Sequence, residues 1–437
     1  MTRKKYIYKI LPALVLAVFM ITGCGSGETP QSEKRATDEV NAAEGSEVSD
    51  GVNVLDETYI SDDSGMISEF AGTGTATEPA DTDIDATQPH DEPSQISIIM
   101  VGDILLHTPV EKAALQEDVS YKFDAIFTNL KEDIQAADLA IVNQEVILGG
   151  EELGISGYPA FNAPFTVGDA LVEAGFDVVC HGTNHALDKG KKGLLNCISY
   201  WKESHPEIGV LGIHDSEESQ DNIYIYEQDG IKVAVLNYTY GTNGIALPED
   251  MPYAVDLLTE EKVITDIKKA EELADFTIAC PHWGTEYQLV QSKAQEKWAG
   301  IFADHGVDLV LGTHPHVIQP IAKVTDEESG HEMLVYYSLG NFVNWTSESG
   351  AGIANRMVGG MAQIILERGE DGEVCIAEYG VEPVVCHLEQ GVNGVTVYKL
   401  ADYTEELAGE NQICLQDNAF SKEYCEDLCE EVWPEFD

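Results

Sequence analysis

The chain has 437 residues, 78 of them acidic against 24 basic, and a formal net charge of -54 at neutral pH. That length accommodates one large α/β domain or two smaller ones. The charge argues against nucleic acid as a partner, because phosphate binding needs a basic face, and against electrostatic docking onto anionic lipid. It favours solubility and attracts divalent cations.

Arg3, Lys4, Lys5 and Lys9 form a basic start, followed by an apolar run from Ile10 to Ile21. About a dozen apolar residues is short for a spanning helix, which needs about 20, and suits an export signal. The run ends in Ile21-Thr22-Gly23-Cys24, which resembles the lipobox of bacterial lipoproteins. That resemblance implies removal of residues 1–23, a lipid on Cys24, and an extracytoplasmic protein anchored to the cell membrane. The plainer alternative is an ordinary secretory signal with Cys24 incidental. Residues 24–95 are dominated by Gly, Ser, Thr, Ala, Pro, Asp and Glu, with Lys34 and Arg35 as the basic residues. Such a stretch cannot bury enough apolar surface to offset its conformational entropy, so a disordered acidic stalk is expected.

Folded sequence is expected from Ile96, and it alternates strand-like apolar runs with helical patterns, the signature of an α/β sheet. Strands are expected at Ser97–Val101, Leu139–Val142, Asp177–Cys180, Phe276–Cys280, Val307–Leu311 and Met333–Ser338. Helices are expected at 121–137, 167–175, 191–203, 259–274 and 291–305. Asp229-Gly230 and the run from Gly369 to Gly372 read as hairpin turns. A domain over 96–390 and an acidic C-terminal extension over 391–437 complete the organisation. Cys180 and Cys280 read as small core residues, and Cys375 and Cys386 as flanking a hairpin. Cys425 and Cys429 lie one helical turn apart without further ligands, so no zinc site is expected there. An exported location permits disulfides, but spacing does not give their connectivity.

Five of the expected strands end in residues suited to binding a metal. They are Gly102-Asp103; Asn143-Gln144-Glu145; Thr183-Asn184-His185 with Asp188; Pro281-His282-Trp283-Gly284; and Gly312-Thr313-His314-Pro315-His316. In the last, an extended backbone would turn both rings to one side, with Gly312 and Pro315 shaping the turn. In open α/β sheets, sites form beyond the carboxyl ends of strands, so residues more than 200 positions apart could share one cleft. Each motif alone has a plainer reading: Asp103 as a turn cap, Glu145 as a solvated carboxylate, His282 packed on Trp283. Their coincidence at one structural position favours a site. Carboxylate, amide and imidazole together suit a pair of Mn, Fe or Zn ions, and the scarcity of thiolate argues against structural zinc.

The order of these motifs, ending in Tyr337-Ser338-Leu339-Gly340-Asn341-Phe342, resembles the CapA family, associated with poly-γ-glutamate capsule synthesis and with the calcineurin-like metallophosphoesterases. The resemblance covers about Ile96 to Val343. It implies a metallophosphatase-like, four-layered α/β/β/α sandwich holding two divalent metal ions. By motif, Asp103 and His316 would serve the first metal, and Asn184, His282 and His314 the second. Glu145 would bridge them, and His185, oriented by Asp188, would act as general acid. Three departures stand out. Leu105 occupies a position where such enzymes commonly have histidine, with His107 two residues on as a candidate additional ligand. Glu145 replaces an aspartate. Asp188 lies three residues from His185. Two functions follow as expectations: a capsule-assembly lipoprotein handling an anionic envelope polymer, or a metal-dependent phosphoesterase acting on an extracytoplasmic phosphate ester.

Overall fold

The computed structural model describes residues 94–434 and a two-residue strand, β1 (Ile7–Tyr8). The rest of the expected signal, Cys24 and nearly all of the stalk lie outside the described residues. The strands that follow are β2 (Gln95–Ile104), β3 (Leu139–Asn143), β4 (Val178–Cys180), β5 (Gly209–Leu211), β6 (Tyr224–Gln228) and β7 (Ile231–Thr239). Then come β8 (Phe276–His282), β9 (Leu309–Leu311), β10 (Ile321–Thr325), β11 (Glu332–Tyr336), β12 (Asn341–Val343), β13 (Val358–Arg368), β14 (Val374–Leu388) and β15 (Val395–Lys399). The helices are α1 (Thr108–Ala114), α2 (Lys131–Ala136), α3 (Thr166–Ala174), α4 (Gly190–Ser204), α5 (Glu217–Asp221), α6 (Glu260–Leu273), α7 (Lys293–Asp304), α8 (Glu405–Glu410) and α9 (Lys422–Val432).

Two mixed sheets result, in the orders β1-β10-β11-β9-β8-β7-β6 and β15-β14-β13-β2-β3-β4-β5, with β12 alongside β2. The first sheet has a parallel centre, β7-β8-β9-β11, with antiparallel strands on both sides; in the second, the parallel run β2-β3-β4-β5 reaches one edge and β13-β14-β15 continue antiparallel on the other. Alternation along the strands shows how the layers stack. On β7, Val233 and Val235 join the main core, whereas Ala234, Leu236 and Tyr238 pack with α6 and α7 through Val263, Ile267 and Phe302. On β9, Leu309 and Leu311 face the main core and Val310 faces the helices. The main core lies between the sheets, where Cys280 Sγ comes within 3.8 Å of Met100 Sδ, and Tyr336 donates its hydroxyl to Gly380 O at 2.8 Å. Leu171 of α3 and Leu194 and Trp201 of α4 complete that core on the second sheet. The fold is an α/β sandwich of two sheets with helices packed on it.

The expected strands all form. The expected helix over 121–137 does not: a 3-10 turn (Asp124–Ile126) is separated from α2 by residues 127–130, which include Thr128 and Asn129. Both are weak helix formers, and Asn129 Nδ2 instead donates to Val397 O at 3.0 Å. Cys375 and Cys386 both lie on β14 rather than flanking a hairpin, since the turn closes earlier, at Gly369–Gly372. Among the described residues, Cys180, Cys197, Cys280, Cys375, Cys386, Cys414 and Cys425 are free thiols. Residues 391–434 pack onto the sandwich: β15 extends the second sheet, and α9 buries Cys425, Leu428 and Val432. Trp433 Nε1 donates to Gln319 O at 2.9 Å. No helix among the described residues is long and apolar enough to cross a membrane.

Candidate metal centre

The parallel strands of both sheets deliver their carboxyl ends to one place. Asp103 lies on β2, Glu145 just beyond β3, Asn184 and His185 beyond β4, His282 at the end of β8, and His314 and His316 beyond β9. All seven are buried, with exposures from 0% for Asp103, Glu145 and His282 to 6% for His185. Residues from opposite ends of the domain therefore meet where neither sheet alone could bring them together.

Glu145, His314 and His316 each offer a ligand atom within 4.8 Å of the others. Around them, His316 Nδ1 lies 3.1 Å from Asp103 Oδ2, and His316 Nε2 lies 3.6 Å from Glu145 Oε1. His282 Nε2 is 3.6 Å from the same Glu145 oxygen and 2.9 Å from Asn184 Oδ1. The rings of His282 and His314 stand 4.8 Å apart, centre to centre. His185 Nδ1 pairs with Asp188 Oδ2 at 2.6 Å, which turns Nε2 toward Glu145 Oε1 at 3.9 Å. Asp188 is itself fixed by the Phe161 amide at 2.7 Å, and the Phe161 ring meets His185 edge-on at 4.6 Å. Three residues of sequence thus separate His185 and Asp188 without parting their side chains.

The backbone at Gly312–His316 departs from the extended form expected of it. His314 has φ 96 and His316 φ 58, values that L-residues rarely adopt. Tertiary bonds hold them there: the His314 amide donates to Asp103 Oδ2 at 3.2 Å, and the Tyr287 amide to Pro315 O at 2.7 Å. The rings of His314 and His316 still converge, at 5.6 Å. Gly312 is obligatory, because a Cβ there would lie 2.3 Å from Tyr337 O.

The donor set fits a cation. Buried polar groups are almost always hydrogen-bonded, yet Glu145 Oε1 and Oε2, Asn143 Oδ1 and His314 Nδ1 have no hydrogen-bond partner. Burial raises the Asp103 carboxyl, with Glu145 adding to the rise. Burial pushes Glu145 up as well, but the rings of His316 and His282 outweigh it and hold that carboxyl below its usual range. Burial lowers His316, and Glu145 and Asp103 reverse this, holding it up at about 9. Burial, with His282 and His316 nearby, keeps His314 well below its ordinary value, so its ring is neutral and free to ligate.

Leu105 is 6% exposed within the core and offers no ligand atom. His107 packs its ring 5.0 Å from Phe161 and 5.7 Å from Trp345. Burial, then His316, drives it down to about 4. Several supporting residues are given no role of their own by the sequence. Asn143 Nδ2 donates to Asp103 Oδ1 at 2.8 Å, and Thr313 Oγ1 lies 3.0 Å from His282 Nδ1. Asn341, inside a motif already singled out, lies with Oδ1 3.0 Å from His316 Nδ1. Asn243, at φ 50, accepts from Asn184 Nδ2 at 3.3 Å and places its Nδ2 3.3 Å from His185 Nδ1.

Fold and site together define a two-sheet α/β sandwich with a buried histidine–carboxylate centre. The chain belongs to the bacterial capsule synthesis protein PGA_cap family, which matches residues 97–346 and so spans every residue of that centre. It is 28% identical over 273 residues to the capsule biosynthesis protein CapA of Bacillus anthracis, covering 59% of this chain and 62% of that one. It is 26% identical over 257 residues to the PGA biosynthesis protein CapA of Bacillus subtilis, covering 57% and 64%. The matched region thus spans less than two thirds of either relative's length. A NAD nucleotidase from Haemophilus influenzae shares 14% identity over 67% of this chain and 58% of that one, at a TM-score of 0.43.

Proposed function

We propose that this protein takes part in making, exporting or attaching an anionic capsule polymer of the poly-γ-glutamate type, through a cation-dependent centre formed by two divalent ions. The observation that carries the reading is the buried group Glu145, His314 and His316, with unpartnered ligand atoms, inside the region matched by a capsule synthesis family. Asp103, Glu145 and His316 would hold one ion, with Asn184, His282 and His314 around the other. Such ions would offset the repulsion between a chain of net charge -54 and a polycarboxylate. The N-terminal pattern supports a lipid anchor at Cys24 outside the cytoplasm. Cleavage there would remove β1 and leave β10 as the edge of its sheet. Deleting the protein should reduce envelope polymer or its retention at the cell surface; unchanged polymer sinks the reading.

A second reading, hydrolysis of a phosphate ester, is favoured by one arrangement, the His185–Asp188 pair at 2.6 Å beside the cluster. A divalent cation would supply Lewis-acid polarisation of a phosphoryl oxygen. Asp188 fixes the His185 ring so that Nε2 faces the centre, where it could give a proton to a leaving oxygen. His185→Ala should lower turnover on phosphomono- and diesters about 100-fold while the protein keeps its metal. A metal-loaded wild-type sample inactive on both ester classes would exclude this chemistry.

A further inference from the structure

Two exposed aromatic residues stand directly on the cluster histidines. Tyr240 is 47% exposed, and its ring lies 4.6 Å from that of His314. Tyr287 is 44% exposed and lies 6.0 Å from His316. Exposed tyrosine rings beside a polar centre offer an apolar body with a polar tip to a ligand arriving there. Tyr287 is also held at φ 62, which costs free energy that a loop with no task would relax.

On the Tyr287 ring sits a guanidinium: Arg356 Cζ is 3.6 Å from the ring centre, and the residue is 8% exposed. Burying a cation is costly unless it is paired. Arg356 Nη1 donates to Thr346 Oγ1 at 3.2 Å, and Nη2 contacts Glu348 Oε2 at 2.6 Å. The Glu348 side chain is 62% exposed. A carboxylate arriving from solution could therefore replace it without leaving a buried charge behind. The planar guanidinium suits bidentate carboxylate binding, and the ring beneath it fixes its plane.

We propose that Tyr240, Tyr287 and Arg356 form the polymer-gripping rim of this centre, selecting an anionic chain whose carboxylates are separated by aliphatic carbons. The tyrosine faces take the methylene segments, and Arg356 takes a carboxylate next to the one facing the cations. A bare polyphosphate offers no apolar segment to lie on the rings. The assignment rests on the capsule-polymer reading and specifies its ligand.

The test uses the full chain, metal-loaded, titrated calorimetrically with γ-linked polyglutamate and with polyphosphate of matched charge. The wild-type protein should bind polyglutamate the more tightly. Tyr287→Ala and Arg356→Gln should each weaken that binding about tenfold, and Tyr287→Phe should stay within about twofold. Metal content should be unchanged in all three. Tyr287 is half-exposed, so its substitution tests the rim even if Arg356→Gln folds poorly, and Leu273→Ala, at another exposed apolar position, serves as control. Wild-type binding that Tyr287→Ala and Tyr240→Ala leave within about twofold overturns the rim and leaves the capsule reading standing. Polyphosphate binding as tight as polyglutamate overturns the aliphatic requirement. No polyglutamate binding by the wild-type protein overturns both.

Discussion

Two regions of this molecule bury histidine and carboxylate side by side, and they differ in what is left over. Beside β5 and β7, a cavity of about 370 Å³ is lined by His214, Asp256, Lys262 and Asp266. Asp256 pairs with His214 at 2.6 Å and with Lys262 at 3.3 Å, and accepts from Gln220 at 2.9 Å. Asp266 takes Lys262 at 2.7 Å and the Tyr238 hydroxyl at 3.1 Å. The protein completes that network itself. At the other region, Glu145, Asn143 and His314 keep buried polar atoms without hydrogen-bond partners, and the backbone is forced to positive φ at His314 and His316. Burial and charge are common to both; unpartnered ligand atoms on a strained backbone are not. The second pair of features is what separates a binding centre from a structural one.

Breaking each region should therefore fail differently. Glu145→Gln should cost at least about 100-fold in metal affinity, read by metal analysis after dialysis, with the fold intact by circular dichroism. Asp256→Asn should leave metal content alone and lower stability by about 1–3 kcal/mol, read by urea denaturation, because His214 and Lys262 lose the carboxylate they share while Lys262 keeps Asp266. If Asp256→Asn released metal, the division between the regions would fall.

Glu111 sharpens the same contrast on a smaller scale. It is 2% exposed, and neither carboxylate oxygen has a hydrogen-bond partner. Burial holds its carboxyl up at about 8, with Lys189 acting in the opposite sense. The native state therefore holds this proton more tightly than the unfolded chain, and stability drains away as pH rises from the ordinary carboxylate range through about 8. Glu111→Met should flatten that slope, gaining about 1–3 kcal/mol at pH 9 and less at pH 4, measured by urea midpoints. A gain independent of pH would show that the carboxyl is not the cause.

The smallest expected effect is at Asn243, whose φ of 50 suits glycine. Asn243→Gly removes the 3.3 Å bond from Asn184 and the contact with His185 but relieves the backbone, so stability should change by less than about 1 kcal/mol in thermal melts. A larger loss would make the Asn243 side chain a principal support of Asn184 and His185.

Much of this was legible in the chain because strands announce themselves locally. An apolar run followed by Gly-Asp, Asn-Gln-Glu or Pro-His marks both a buried strand and the place where it stops, which gives an α/β sheet; the two-sheet sandwich came from the family resemblance of the motifs. Less legible was anything set by contacts between distant segments. The helix expected across Thr128 and Asn129 is interrupted because Asn129 finds Val397, 268 residues away. Cys375 and Cys386 share one strand because the β13–β14 hairpin is longer than its periodicity suggests.

The sequence by itself determined which residue types stand at the strand ends, and hence that histidines, carboxylates and amides are available to one cleft. The tertiary structure decided that Asp103 and His316 approach to 3.1 Å and that His314 and His316 leave the extended form. It also decided that His107 is turned toward Phe161 and Trp345, and that Tyr287 and Arg356 stack above the centre. The reason is physical. A side chain's type and local backbone preference are written within a few residues, whereas its partners, its burial and the charge around it come from whatever the other sheet brings against it.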